Sequence, residues 1–486
     1  MNEQGYDQES TGPSGVKTED YFLEDFDVPD GLMPDPQFNG LKARIQVHRI
    51  RPLYENDTSP SVPPPAVVLI HGRTVPGPVA FDLREPGTFG KGGALSLQEQ
   101  LARAGIDTFA PSLLGYGRST RFESGLNDPG NASLRPYDPP DSTSCPYPEG
   151  CDRTLNPGIN PLDQQGRMLL VNPLARQRRR HSSNFRFART DVWVRDIGQV
   201  IIDSIQRNEH DYPGDGRDER QVALVGYSAG GQHVGRTLYA RNPLGGELLD
   251  RRNKIIEKVS CVVFVSSLFF ADGPTEDPEL GRPTFPLTLN DRLGSDVNWR
   301  MPMELLGCEA TCFGHIIPGT QEQVWCQTME QETLGRGWGG DDPNFPTGLN
   351  RAPTFSGYGW NRVVAGRLSK PALVIQGLED TIVPTGPGTG RAMYDALYTA
   401  LPPEETPNKV LVQVQCASHA LLWEGCAGER CTPPPGTTSY DGTSPWAGPH
   451  STLKAALKEW ITDQKFNDAE NGSFIVNESG VASAAS

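Results

Sequence analysis

The chain has 486 residues, of which 44 are basic and 60 acidic, for a formal net charge of −16. That balance repels phosphate backbones and anionic lipid surfaces, so nucleic acid is not an expected partner. A length of this order fits one large α/β body with insertions, and 53 glycines with 44 prolines describe a globular chain rich in loop. The most apolar stretch, 261–271, is half the ~20 residues that cross a bilayer, so no transmembrane segment is expected.

Residues 1–40 are polar and acidic and read as an N-terminal arm, with aromatic anchors only in TEDYFLEDFDVPD. From Leu41 the alternation ARIQVHRI predicts a strand. After the link SVPPP, the apolar run AVVLI predicts a buried strand ending at His71-Gly72. A helix near 95–104 precedes a short strand in GIDTFAPSLLGYGRS, and a helix near 190–207 leads into the strand QVALVGYS. The alternation continues: a helix over 231–241, the strands VSCVVFVSS and PALVIQG, a helix over 389–400, the strand KVLVQVQC and a last helix over 451–464. Continuous apolar strands alternating with helices imply a mostly parallel central sheet flanked by helices on both faces.

Two long stretches, 119–187 and 268–369, break this rhythm. Both leave carboxyl ends of strands, where ligands of doubly wound sheets sit, so both are placed to roof a site. The second carries Trp299, Trp325, Trp338, Phe345, Tyr358 and Trp360, which either line an apolar pocket or form a small core of the insertion. Close cysteines in loop-like segments, Cys145 with Cys151, then Cys308, Cys312 and Cys326, then Cys416, Cys426 and Cys431, predict disulfides and an exported protein. Cys261 in VSCVVFV reads as a buried thiol. The opening MNEQGYDQES has neither the basic start nor the apolar run of a signal peptide, so an exported form would have lost its leader already. The alternative is a cytoplasmic enzyme with reduced thiols; the cysteine spacings do not form the two halves of a zinc site. Asn-x-Ser/Thr triplets at Asn56, Asn131, Asn471 and Asn477 are compatible with export but arise often by chance.

The chemistry centres on Gly226-Tyr227-Ser228-Ala229-Gly230, a Gly-x-Ser-x-Gly pattern that so glycine-rich a chain would contain by chance roughly 0.4 times. Its position strengthens it: the strand VALV precedes it and a helix follows at once. A serine hydroxyl needs an oriented base to attack at neutral pH. Asp380, in QGLEDTIVP, and His419, in CASHALLWE, each stand just past a strand and supply the acid and the base. Glu379 is the competing acid. The helix after Ser228 aims the Ala229 N–H at a developing oxyanion, and the loop after AVVLI offers a second N–H at Arg73 or Thr74, with Arg73 the residue chosen. His71 reads as structural, and His233 as packed or solvated.

The segments VLIHG, LLGYGRS, GYSAGG, GLEDTIVP and ASHALLWE resemble the successive signatures of the α/β-hydrolase superfamily over about 66–465, in family order Ser, Asp, His. The resemblance implies an α/β-hydrolase core built from 41–118, 188–267 and 370–465, with 119–187 as a first insertion, 268–369 as a cap and 466–486 as a tail. Its serine nucleophile is similar to that of esterases, lipases, lactonases and aminopeptidase-like members, not the aspartate of haloalkane dehalogenases and epoxide hydrolases. The sequence departs from the family at Pro111-Ser112, where many members carry an acidic residue.

The expected activity is hydrolysis of a small carboxylic ester or lactone, with no cofactor and no metal. One alternative is an exported serine aminopeptidase, for which Asp341 and Asp342, or Glu330 and Glu332, would hold the substrate's amino terminus. Another is a non-catalytic binding protein on the same scaffold. The run Arg178-Arg179-Arg180, with Arg176, reads as a solvated loop, a docking site for the acidic arm near 19–27, or a processing site.

Overall fold

The computed structural model describes residues 12–23, 26–27, 40–54, 62–73, 75–84, 95–121, 190–213, 220–239, 255–275, 287–290, 317, 319–333, 336, 350–353, 359–380, 382, 387–425, 448–477 and 480–485. The strands are β1 (Gly15–Phe22), β2 (Phe26–Asp27), β3 (Lys42–Ala43), β4 (Gln46–Leu53), β5 (Ala66–Ile70), β6 (Asp107–Ser112) and β7 (Val222–Tyr227) in the first half. They continue as β8 (Val259–Val265), β9 (Leu287–Asn290), β10 (Asn350–Pro353), β11 (Ala372–Gly377), β12 (Lys409–Val414), β13 (Gly472–Val476) and β14 (Ala482–Ala484). The helices are α1 (Gly77–Phe81), α2 (Leu97–Arg103), α3 (Thr190–Asp211) and α4 (Ala229–Tyr239), then α5 (Thr320–Gln331), α6 (Arg362–Ala365), α7 (Pro387–Ala396) and α8 (Pro449–Asp463).

Ten strands form one sheet in the order β1-β4-β6-β5-β7-β8-β11-β12-β13-β14. From β6 to β13 every neighbour is parallel, while β1, β4 and β14 join antiparallel at the edges. After β5 the chain moves to β6 on one side and then back past β5 to β7 on the other, so the strand order reverses beside β5. Reversals of this kind open a crevice at the carboxyl ends of the strands.

Both faces of the sheet are buried, and successive residues serve opposite faces as strand geometry requires. Val68, Ile70, Leu224 and Phe264 face the layer of α3, α4 and α7 with Trp193, Val234 and Met393. Their neighbours Val67, Leu69, Val225 and Val265 face α1, α2 and α8 with Phe81, Leu101 and Trp460. The predicted α/β-hydrolase fold, a mostly parallel sheet between helical layers, is therefore the observed one.

Three expectations change. Part of the predicted acidic arm is strand β1, paired antiparallel with β4 along its whole length. Its acids pair with the neighbouring strand, Glu19 with Arg49 and Arg51 and Asp20 with His48, while Arg178–Arg180 lie outside the described residues. The predicted tail holds β13 and β14, which cover β12; an uncovered β12 would expose a long apolar edge. In the second insertion the structure describes α5, the short α6 and the antiparallel pair β9 and β10. Trp360, one of its aromatic candidates, is fully buried and stacks on Phe264 at 5.0 Å in the main core, so it lines no pocket. Trp325 is buried on α5, while Trp299, Trp338, Phe345 and Tyr358 lie outside the described residues. Cys326 sits on the same helix, not in a loop, and Cys261 is the expected buried thiol. Among the described residues no helix is long and apolar enough to cross a membrane.

The arm strand is tied to the body by a buried imidazole. His48 on β4 contacts Asp20 at 2.9 Å through Nδ1 and Asp82 at 3.0 Å through Nε2, and Ser96 donates to Asp82 at 2.6 Å. Burial alone would push His48 down, but the bonds and charges of Asp20 and Asp82 outweigh it and hold it at about 9. A histidine raised in this way contributes stability that is fully present below its unfolded value near 6.5 and lost as pH rises through about 9. Thermal or urea unfolding of the wild type and His48→Gln should therefore differ most below pH 6.5. The gap should close by about 2 kcal/mol between pH 6.5 and 10.

Candidate active site

Ser228 is the single residue between the end of β7 and the start of α4, and it holds φ 53°. A left-handed conformation costs a non-glycine residue roughly 1–2 kcal/mol, so the surroundings must impose it. They do so by hydrogen bonds and by close packing. The Ser228 N–H donates to Val265 at 2.9 Å, and its carbonyl accepts from Gly231 at 3.1 Å and Leu268 at 2.9 Å. A Cβ at Gly230 would stand 2.2 Å from the Ile70 carbonyl oxygen, and one at Gly226 would stand 2.5 Å from Gly231 Cα. Only glycine lets α4 start this close to the strand ends. The turn consequently lifts Ser228 above the carboxyl edge of the sheet.

Two other loops at that edge meet it. His419, past the end of β12, places Nε2 3.0 Å from Ser228 Oγ and Nδ1 3.0 Å from Asp380 Oδ2. With the Nδ1 proton donated to the carboxylate, Nε2 accepts from the serine hydroxyl. Asp380, past the end of β11, is nearly fully buried, and its carboxylate is held by Gln376 Nε2 at 2.8 Å and the Ile382 N–H at 3.0 Å. The three residues singled out in the sequence are thus in one hydrogen-bonded chain. Glu379, the competing acid, points elsewhere: its carboxylate accepts the Ala417 N–H at 3.1 Å, and burial raises its pKa.

The loop after β5 packs on the same serine. A Cβ at Gly72 would lie 2.9 Å from Ser228 Cβ, so the backbone leading to Arg73 runs alongside Ser228. The Ala229 N–H opens α4, among the first N–H groups of a helix that have no intrahelical acceptor. Thr74, the other candidate donor, lies outside the described residues. His71 Nδ1 donates to the Gly72 carbonyl at 2.7 Å and Nε2 accepts the Leu113 N–H at 3.0 Å, joining the loops after β5 and β6. Burial holds His71 down at about 4, so it serves as a neutral brace, in keeping with a structural reading. His233 is buried against Trp193 at 4.8 Å, and burial with the nearby His71 and Arg236 pushes it down to about 3. Among the described residues no group of three His, Cys, Asp or Glu side chains could hold a metal ion.

The sequence reading missed three supporting residues. Gln376 is a polar residue in the otherwise apolar ALVIQG strand, a signal that was available. Tyr227 donates to the His419 carbonyl at 2.9 Å and lays its ring 5.3 Å from the imidazole; only its place beside Ser228 hinted at this. Glu424 is a fully buried acid bonded to Ser418, and it ends an apolar run, ALLWE.

The alpha/beta hydrolase family model matches residues 67–430. The chain belongs to the α/β-hydrolase family. No curated protein matches it. Among solved structures, a monoglyceride lipase from Saccharomyces cerevisiae is similar at 11% identity over 95% of this chain and 99% of its own, with a TM-score of 0.37. A monoacylglycerol lipase from Paleococcus ferrophilus is similar at 16% identity over 83% and 97%, with a TM-score of 0.36. An esterase from Rhodococcus sp. ECU1013 is similar at 12% identity over 82% and 91%, also at 0.36. For this α/β-hydrolase, the close approach at Gly230 has a direct consequence. Gly230→Ala should lower the urea unfolding free energy by about 2–3 kcal/mol, because the added methyl collides with backbone and not with a movable side chain.

Proposed function

We propose that this hydrolase cleaves a carboxylic ester or lactone through an acyl-enzyme. Ser228 Oγ attacks the carbonyl carbon as His419 Nε2 takes its proton. Asp380 keeps the imidazole in the Nδ1–H form and stabilises the imidazolium, and the N–H groups of Ala229 and Arg73 receive the oxyanion. His419 then returns the proton to the departing alkoxide, and water, deprotonated by the same nitrogen, releases the acid. The observation that supports this reading is the continuous contact from Ser228 Oγ through His419 to Asp380, with 3.0 Å at each step. Each participant stands on a separate loop at one edge of a rigid sheet, where small errors of geometry are costly to catalysis.

The aminopeptidase alternative needs a free carboxylate in the cap. Glu330 is paired with Arg84 at 2.7 Å, and Glu332, with no exposure, is paired with Arg121 at 3.1 Å. Both are thereby committed to holding α5 against the body, and Asp341 and Asp342 lie outside the described residues. That pairing favours the ester reading over the peptide one. Export is proposed with it, together with disulfides among the closely spaced loop cysteines, a reading that their spacing in proline-rich segments supports.

A panel of p-nitrophenyl esters, lactones and aminoacyl anilides, offered to the wild type, Ser228→Ala and Asp380→Asn, tests this. Ester or lactone turnover should fall by about 10³-fold or more in Ser228→Ala, and by a comparable amount in Asp380→Asn. Glu379→Gln should retain most activity. Turnover of the anilides alone would replace the ester reading, and undiminished activity in Ser228→Ala would remove the mechanism.

A further inference from the structure

Three of the loops that form the site meet on one side chain that the reaction above does not use. Tyr227 closes β7, and the alternation that turns Val225 toward α1, α2 and α8 turns Tyr227 the same way, into a buried position. Ser228 follows it directly. The loop after β5 packs on its ring, since a Cβ at Gly72 would stand 3.2 Å from Tyr227 Cδ1. The loop after β12 is bonded to it: the His419 carbonyl accepts the Tyr227 hydroxyl proton at 2.9 Å, and the imidazole lies 5.3 Å from the ring. Further along that loop, Trp423 sets its ring edge-on to Tyr227 at 6.1 Å and donates to the Ala80 carbonyl of α1 at 3.2 Å.

The turn that carries His419 is also braced within itself. Glu424 accepts the Ser418 N–H at 2.9 Å, and Ser418 Oγ accepts the Ala420 N–H at 3.1 Å. Those bonds shape the turn. The Tyr227 bond does something different, because it ties the turn to the residue that precedes the nucleophile. A tyrosine side chain has only two torsions, so a held hydroxyl keeps the His419 backbone at a fixed reach from the Ser228 backbone. The reference point is firm: β7 is paired in register with β5 on one side and β8 on the other, and Tyr227 itself stands opposite Val265. The donor is also dependable. Burial first, then the negative charges of Asp380 and Glu424, hold the Tyr227 hydroxyl well above its ordinary pKa, so it keeps its proton.

We propose that Tyr227 is a positioning residue, whose hydroxyl bond to the His419 carbonyl sets the reach from His419 Nε2 to Ser228 Oγ. This rests on His419 being the proton carrier of the reaction proposed above. The reach in question is 3.0 Å, and a misplacement on the order of 1 Å costs catalysis on the order of 10²-fold. His419 serves both halves of the reaction, first taking the serine proton and later that of water. A misset base therefore slows acylation and deacylation in similar proportion, which lowers kcat and leaves KM where it was.

The test measures turnover of a p-nitrophenyl ester by the wild type, by Tyr227→Phe and by enzyme carrying p-aminophenylalanine at position 227, with Ser228→Ala as the blank. Each preparation is labelled to completion with a fluorophosphonate, so that kcat is counted per reactive serine. Tyr227→Phe keeps the ring and removes the donor; its kcat per reactive serine should fall about tenfold, with KM within about twofold of wild type. p-Aminophenylalanine returns a donor to the same place and should recover most of the loss. If Tyr227→Phe does not fold, p-fluorophenylalanine, which fills the place of the hydroxyl without donating, carries the same expectation. A merely structural role would lower the folded fraction or the unfolding temperature and leave turnover per reactive serine alone. An unchanged kcat per reactive serine, a rise in KM that accounts for the whole loss, or a loss that p-aminophenylalanine does not reduce, overturns the proposal. If Ser228→Ala still turns over the ester, the underlying reaction fails and takes this proposal with it, an outcome distinct from a Ser228-dependent enzyme that is indifferent to the donor at 227.

Discussion

The backbone of α4 meets the strand ends so closely that no Cβ fits at Gly226 or Gly230, and the rest of the site depends on that approach. It leaves one residue to reverse the chain between strand and helix, which forces Ser228 to φ 53°. The same contact brings the start of α4 over the end of β5, so the Gly72–Arg73 backbone and the Ala229 N–H border one serine. Hydrogen bonds from Ser228 to Val265 and from Leu268 to Ser228 then fasten the turn to the end of β8. The strain at the serine is small beside the burial of the parallel strands on either side.

Because the central strands are parallel, their carboxyl ends lie along one edge, and residues distant in sequence are delivered there without long connections. Ser228, Asp380 and His419 follow β7, β11 and β12, whose places in the sheet are fixed by paired registers. Precision at the edge comes from buried polar contacts beneath it. Gln376 and the Ile382 N–H hold Asp380, Tyr227 holds the His419 carbonyl, and Glu424 holds the residues on both sides of His419. Gln376, Asp380, Tyr227 and Glu424 are all buried, where a hydrogen bond fixes a geometry more firmly than apolar packing alone.

The central elements were legible because each strand is a short, unbroken apolar run closed by glycine or polar residues, as in AVVLI, VALVGY and VSCVVFV. Ser228, Asp380 and His419 could be read because the structural context, strand before and turn after, recurs at all three. The edge strands were not legible for a physical reason. Strand β1 is GVKTEDYF, whose residues are half-buried or exposed and whose acids face Arg49, Arg51 and His48, so charge pairing helps hold it and no alternating apolar signature results. Strands β13 and β14 are too short for a period to show. Trp360 was misjudged for a related reason: its pocket is an absence, the missing side chain of Gly235, against which a Cβ would stand 2.2 Å from the indole.

The central claim is that Ser228 is an activated nucleophile. Its most direct measurement is intact-mass and peptide mass spectrometry after treatment with a fluorophosphonate, which captures only a serine whose proton is being withdrawn. The account predicts one phosphonyl group per chain, located on Ser228, and none on Ser228→Ala or, at matched exposure, on His419→Ala. A wild-type protein that hydrolyses esters yet takes up no label, or takes it up at another serine, would contradict it.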